Sequence, residues 1–257
     1  MGDALPFVDL GTGLSATALY SGTSSYSRQP TTCVILAPGG RVKCWGSNGF
    51  GQLGQGVGAD HMFSTAVGGR PGQMGDNLKP IELGTGLSAS ALSVSTHVCA
   101  VLQPGGRLKC WGNNDNGQLG QGTRAKTIGE RPGEMGDALR PVDVGTGLRV
   151  EAVAAGSWHT CALLQPGGLV KCWGMNFFGQ LGTGDRSPLG VNTGDAPGEM
   201  GDALDPVDLG WGVRATAIAA GEMHTCAVLQ PGGIVKCWGG MFHMDRVPVA
   251  RLPAIAL

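Results

Sequence analysis

Four Cys-Trp-Gly triplets place Trp45, Trp111, Trp173 and Trp238 at spacings of 66, 62 and 65 residues along a chain of 257 residues. A second Cys precedes each triplet with ten residues between the two cysteines, so all eight cysteines fall into four equal pairs. A chain that repeats at this period folds as a row of similar small modules, each burying its apolar faces against its neighbours. The best-formed unit reads RVEAVAAGSWHTCALLQPGGLVKCWGMNFFGQLGTGD, a variable stretch, then PGEMGDALDPVDLGWG. Four of its segments have strand character: VEAVAA (Val150–Ala155), TCALLQ (Thr160–Gln165), LVKCWG (Leu169–Gly174) and PVDL (Pro206–Leu209). Four β segments per unit is the pattern of a propeller blade, and the expected fold is an all-β propeller of about four four-stranded blades, as an incomplete ring.

Composition agrees with that reading and excludes others. The 47 Gly and 15 Pro leave no stretch long enough for an amphipathic helix, since each interior Gly costs on the order of 1 kcal/mol against Ala. A hydrophobic share of 42% with 14% charged residues is the opposite of a disordered balance. A net charge of -1 offers no footprint for a phosphate backbone, so nucleic acid is not an expected partner. No run approaches the length of a membrane helix, and no membrane partner is expected.

The residues CWGxNxxGQLGxG, preceded by GxxHTCAL, resemble the repeats of the regulator of chromosome condensation family. GQLG recurs in register at Gly51–Gly54, Gly117–Gly120 and Gly179–Gly182. The resemblance implies a β-propeller, which in complete members has seven blades. Unit boundaries are expected near 21–86, 87–147, 148–212 and 213–257, with 1–20 supplying partial closing strands. The first unit departs from the pattern in carrying Thr31 where the others have His97, His159 and His224. The fourth lacks GQLG, and its tail VPVARLPAIAL is a candidate outer strand for a closing blade. Because MGDALPFVDLGTG aligns with Met135–Gly147, the chain starts within a repeat and reads as a fragment of a longer array.

The candidate disulfide partners are Cys33 with Cys44, Cys99 with Cys110, Cys161 with Cys172 and Cys226 with Cys237, each pair bracketing a Pro-Gly-Gly turn between apolar strands. With a two- or four-residue loop centred between Pro166 and Gly167, Cys161 lies directly opposite Cys172, at a separation that suits a disulfide. A three-residue loop would put the sulfurs on opposite faces. The alternatives are a pair of small buried hydrophobes or, more remotely, a metal site built with the repeat His. Disulfides would imply an extracellular or secretory location, free thiols a cytoplasmic one.

Trp45, Trp111, Trp173 and Trp238 are expected to pack between blades. Trp158 and Trp211 replace smaller residues of the other units and are candidate partner contacts. The three repeat histidines are expected to make structural hydrogen bonds beside the following Thr or Cys. NNDNG at Asn113–Gly117 reads as a turn, and the acidic Glu134, Asp137, Glu199 and Asp202 as solvated surface. No triad spacing and no phosphate loop is present in the sequence, so neither catalytic residues nor a cofactor or metal is expected. The expected function is a non-enzymatic scaffold whose variable loops bind an as yet unidentified protein. Its alternatives are guanine-nucleotide exchange on a small GTPase, which the resemblance implies, and secreted inhibition of an extracellular enzyme.

Overall fold

The computed structural model describes residues 5–23, 30–57, 66–123, 125–184 and 191–240. Within them the chain is all-β apart from three single-turn 3-10 segments, Gly75–Asn77, Gly136–Ala138 and Gly201–Ala203. Strands β1 (Ser15–Thr23), β2 (Pro30–Ala37) and β3 (Arg41–Gly46) form the first antiparallel sheet. The second contains β4 (Ser88–Val94), β5 (His97–Gln103), β6 (Arg107–Asn113) and the short β7 (Thr127–Ile128). The third contains β8 (Arg149–Ala155), β9 (His159–Gln165) and β10 (Leu169–Gly174), and the fourth β11 (Arg214–Ala220), β12 (His224–Gln230) and β13 (Ile234–Gly239). Each sheet is one blade, and the first strands stand side by side, β1 on β4, β4 on β8 and β8 on β11.

Three apolar cores fill the spaces between consecutive blades. Between the third and fourth, for example, Cys161, Leu163, Val170 and Cys172 meet Val207, Leu209, Ala227, Leu229 and Trp238. The other two cores repeat the same positions. Both faces of a middle blade are therefore covered, and every residue of β9 except its last is buried. In β12 of the fourth blade buried and half-buried residues alternate, because one face has no blade among the described residues to cover it.

Two expectations change here. PVDL is not a fourth strand: Pro206–Leu209 has no strand pairing and sits between blades, held by the Val207 amide on the Val170 carbonyl at 2.7 Å and by Lys236 Nζ on the Leu209 carbonyl at 3.1 Å. A fourth strand forms only after the variable loop, as β7 in the second blade and as single bridges Gly46↔Val67 and Gly174↔Thr193 in the first and third. The first boundary also moves. Residues 15–20, expected to serve a closing blade, belong to β1 and pair with β2 from Ser15↔Ala37 to Thr23↔Pro30. The tail VPVARLPAIAL lies outside the described residues.

Candidate functional site

Each blade junction turns on one backbone carbonyl of GQLG. The Gln118 carbonyl accepts the Trp173 indole N–H at 3.0 Å and the Thr160 hydroxyl at 2.7 Å, both from the next blade. Since the Thr160 hydroxyl spends its one proton on Gln118, it accepts from His97 Nε2 at 2.7 Å, which makes His97 the Nε2–H tautomer. The arrangement recurs one blade on, with Gln180 O receiving Trp238 and Thr225, and Thr225 receiving His159 at 2.9 Å. His97 and His159 thus make structural hydrogen bonds to the Thr of the following unit, and His97 Nδ1 also lies 3.5 Å from the Thr96 hydroxyl beside it. Complete burial and the neighbouring His159 push His97 down to about 3, and burial with the nearby His224 does the same to His159. The last Gly of GQLG has no substitute. Gly120 has φ +64°, and a Cβ there would lie 2.8 Å from the Trp173 indole nitrogen.

Trp111, Trp173 and Trp238 are buried in the cores between blades. Trp111 donates to Gln52 O at 3.0 Å, although Val98 replaces the Thr of that junction. Trp45 is only half-buried, because no GQLG carbonyl from a preceding unit lies among the described residues.

A second fastening was not foreseen. The lysine of each KCWG segment is buried, and in the first three blades it donates to two carbonyls, Lys109 Nζ to Leu83 O at 2.9 Å and Gly136 O at 2.7 Å. Beside it Asp137 receives the Thr85 hydroxyl at 2.6 Å and the Thr85 amide at 2.8 Å. Those bonds hold the Asp137 carboxyl below the usual carboxylate range, while desolvation lowers Lys109 against the pull of Asp137. Thr12–Asp76 and Thr146–Asp202 repeat the clasp. Glu134 and Glu199 are also employed: Glu199 Oε2 accepts the amides of Gly194, Asp195 and Ala196, fixing the end of the third variable loop. Asp137 and Asp202 remain exposed at the surface while making these bonds, and Glu134 and Glu199 are half-buried.

Every cysteine pair sits directly across its hairpin at bonding distance. Cys33 lies opposite Cys44 in the first blade, Cys99 opposite Cys110 in the second, Cys161 opposite Cys172 in the third and Cys226 opposite Cys237 in the fourth. All four pairs stand in disulfide geometry, with Cα atoms 4.0–4.1 Å apart. The turn is the four-residue form, with Leu164 opposite Leu169. Cys33, Cys44, Cys99, Cys110, Cys161 and Cys172 lie wholly within the cores, on the face that meets the next blade. On the fourth blade Cys226 is half-buried and Cys237 buried. Asn113–Gly117 is a turn, its Asn114 side chain accepting the Leu119 amide at 3.0 Å.

The variable loops leave and rejoin the sheets at the end where Trp158 is found, whereas Trp211 lies at the opposite end beside the Pro-Gly-Gly hairpins. The two tryptophans are not brought together. Trp158 is half-buried. Trp211, fully exposed, occupies the position of the clasp threonines Thr12, Thr85 and Thr146. On the axis of the loop end, the last residues of the four first strands enclose a depression of about 290 Å³. Its lining includes Ser21, Thr23, Ser95, Ser157 and Glu222.

The sequence profile described as "Regulator of chromosome condensation (RCC1) repeat" matches residues 105–163 and 168–228. Among curated proteins the chain is 29% identical over 207 residues to the Ultraviolet-B receptor UVR8 of Arabidopsis thaliana, covering 79% of this chain and 38% of that protein. It is 32% identical over 213 residues to the mitochondrial RCC1 domain-containing protein RUG3 of the same plant, covering 82% and 40%. The chain therefore spans about two fifths of the length of these relatives. Among solved structures, Prp20p from Saccharomyces cerevisiae superposes with a TM-score of 0.55 at 22% identity, over 82% of this chain and 42% of that one.

Proposed function

The chain is a repeat protein of the regulator of chromosome condensation (RCC1) type with a β-propeller fold, and on that premise we propose that it is a non-enzymatic scaffold that holds a protein partner on its loop end. The observation that carries this reading is the way each variable loop is anchored. The segments that differ most between units, within 57–71, 123–132 and 185–197, return to the sheet through Val67, β7 and Thr193, and are then clamped by Gln73, Glu134 and Glu199. Variable residues on a rigid frame are the ordinary construction of a recognition surface. Site-specific photo-crosslinkers at Ala125 and Arg131, compared with ones at Gly105 and Gly147 on the opposite end, test it in an extract of the source cells. Protein adducts formed from the loop end alone are expected, and equal labelling from both ends would sink the reading.

Guanine-nucleotide exchange is the alternative reading. The fold likeness to Prp20p, whose structure was described with its binding to Gsp1p and histones, is what brings it forward. On the scaffold reading a panel of small GTPases shows no faster nucleotide release with the chain present. An acceleration of about ten-fold, roughly 1.4 kcal/mol of barrier, would replace it with exchange. The cysteine pairs support an oxidising, extracellular or secretory setting. Mass mapping of unreduced protein from its source should recover four linked hairpin peptides, and alkylatable cysteines in all four would place it elsewhere.

A further inference from the structure

At the loop end, Ser95, Ser157 and Glu222 occupy the same place in successive repeats, two residues before His97, His159 and His224. All three line the axial depression, together with Ser21, Gly22 and Thr23 of the first blade. Ser95 and Ser157 are 8% and 5% exposed, yet neither hydroxyl has a hydrogen-bond partner among the described residues. Both residues line the same small opening, so their hydroxyls are available there to a ligand group. The third equivalent position carries Glu222, the sole ionisable residue of the lining. Its carboxylate likewise engages no side chain or amide among the described residues.

We infer that the axial depression is an anchoring subsite for one arginine side chain projecting from a partner's loop or terminus. At about 290 Å³ the space is at the lower limit of small-molecule sites, the size of a single long side chain and not of a cofactor. A guanidinium brings five donors in a planar fork and no acceptor, which suits a wall made of one carboxylate and two unengaged hydroxyls. Pairing with a carboxylate also makes those hydrogen bonds charge-assisted. The inference rests on the scaffold reading in taking the loop end as the face presented to a partner, and it names the chemistry received there.

The probe is the peptide acetyl-Gly-Arg-Gly-amide, titrated into the whole chain and followed by amide resonances in two-dimensional NMR. Its control replaces arginine by citrulline, of the same shape without the charge. The arginine peptide is expected to shift Ser95, Ser157 and Gly221 saturably, the citrulline peptide to bind about ten-fold more weakly or less. Glu222→Gln is expected to lose about ten-fold of the arginine affinity, and Ser157→Ala to weaken it as well. Equal binding of the two peptides, shifts confined to other residues, or no saturating response overturns the subsite. The citrulline comparison uses the unaltered protein, so the outcome does not depend on a variant folding. Loop-end crosslinking with a failed peptide titration would leave the scaffold reading standing without this subsite, whereas failure of the crosslinking would count against the scaffold alone.

Discussion

Gln180 and Gln118 show how one residue's setting decides what its neighbour must be. The Gln118 side chain donates its Nε2 to the Asn113 side-chain oxygen Oδ1, and in the first unit Gln52 reaches the Ser47 hydroxyl at 3.5 Å. In the third unit Met175 stands at that place, and Gln180 Nε2 is buried without a hydrogen-bond partner. Met175→Asn restores an acceptor and should stabilise the fold by about 1 kcal/mol, read from the shift of a denaturant midpoint at unchanged slope. An unstable or unchanged variant would show that the amide is satisfied in another way. The buried histidines have a related consequence. Held near 3 when folded against 6.5 when unfolded, His97 and His159 take up protons only in the unfolded chain between those values. Stability is unaffected above about pH 6.5 and falls as the pH drops below it, by roughly 1.4 kcal/mol per pH unit for each His. Replacing both with Gln, which can still donate to Thr160 and Thr225, should flatten the stability profile between about pH 4 and 6. A slope that persists would assign acid sensitivity to other groups.

Among the elements, the hairpin was the most legible. Equal Cys spacing across Pro-Gly-Gly predicts Cys161 opposite Cys172 for a two- or four-residue loop, and the sheet adopts that register. The same register joins Cys33 to Cys44 and Cys99 to Cys110. The triplet tryptophans and GQLG glycines were readable because they repeat. The fourth strand was not, since Val67, Thr127–Ile128 and Thr193 lie at the ends of loops whose sequences do not repeat, while Val-Asp-Leu imitates strand alternation without pairing. The clasp was hidden for another reason. Lys109 alone reads as an exposed strand lysine and Asp137 alone as surface acid, and only the fold brings them together beside Thr85. The hairpins also differ in access. Three disulfides are sealed between blades and the fourth has a half-buried Cys226, so limited reduction followed by alkylation should label Cys226 and Cys237 before any other pair. Simultaneous labelling of all four pairs would mean that the cores open as one.

On the scale of the whole molecule, the chain is a one-dimensional stack in which each blade is stabilised by its neighbours. The middle blades have both faces covered and the fourth has one face half-open, so opening should begin there. Hydrogen exchange is expected to protect the amides of β5 and β9 longest and those of β12 least. Uniform protection along the chain would require the four blades to unfold together. The axial depression belongs to this scale as well, since its lining comes from all four first strands and no single blade could form it.

Every disulfide closes within one hairpin, and none joins one blade to another. Under tension applied to its two ends, such a chain yields in sequence, with the blades held together only by packing and hydrogen bonds. The slack released by each blade excludes the residues locked inside its covalent ring, which span a sequence separation of 11. In a single-molecule stretching trace, a reducing agent should lengthen each step by about 40 Å while leaving the number of steps the same. The bonds therefore set how far a blade can be drawn out, and the junctions set how hard it must be pulled.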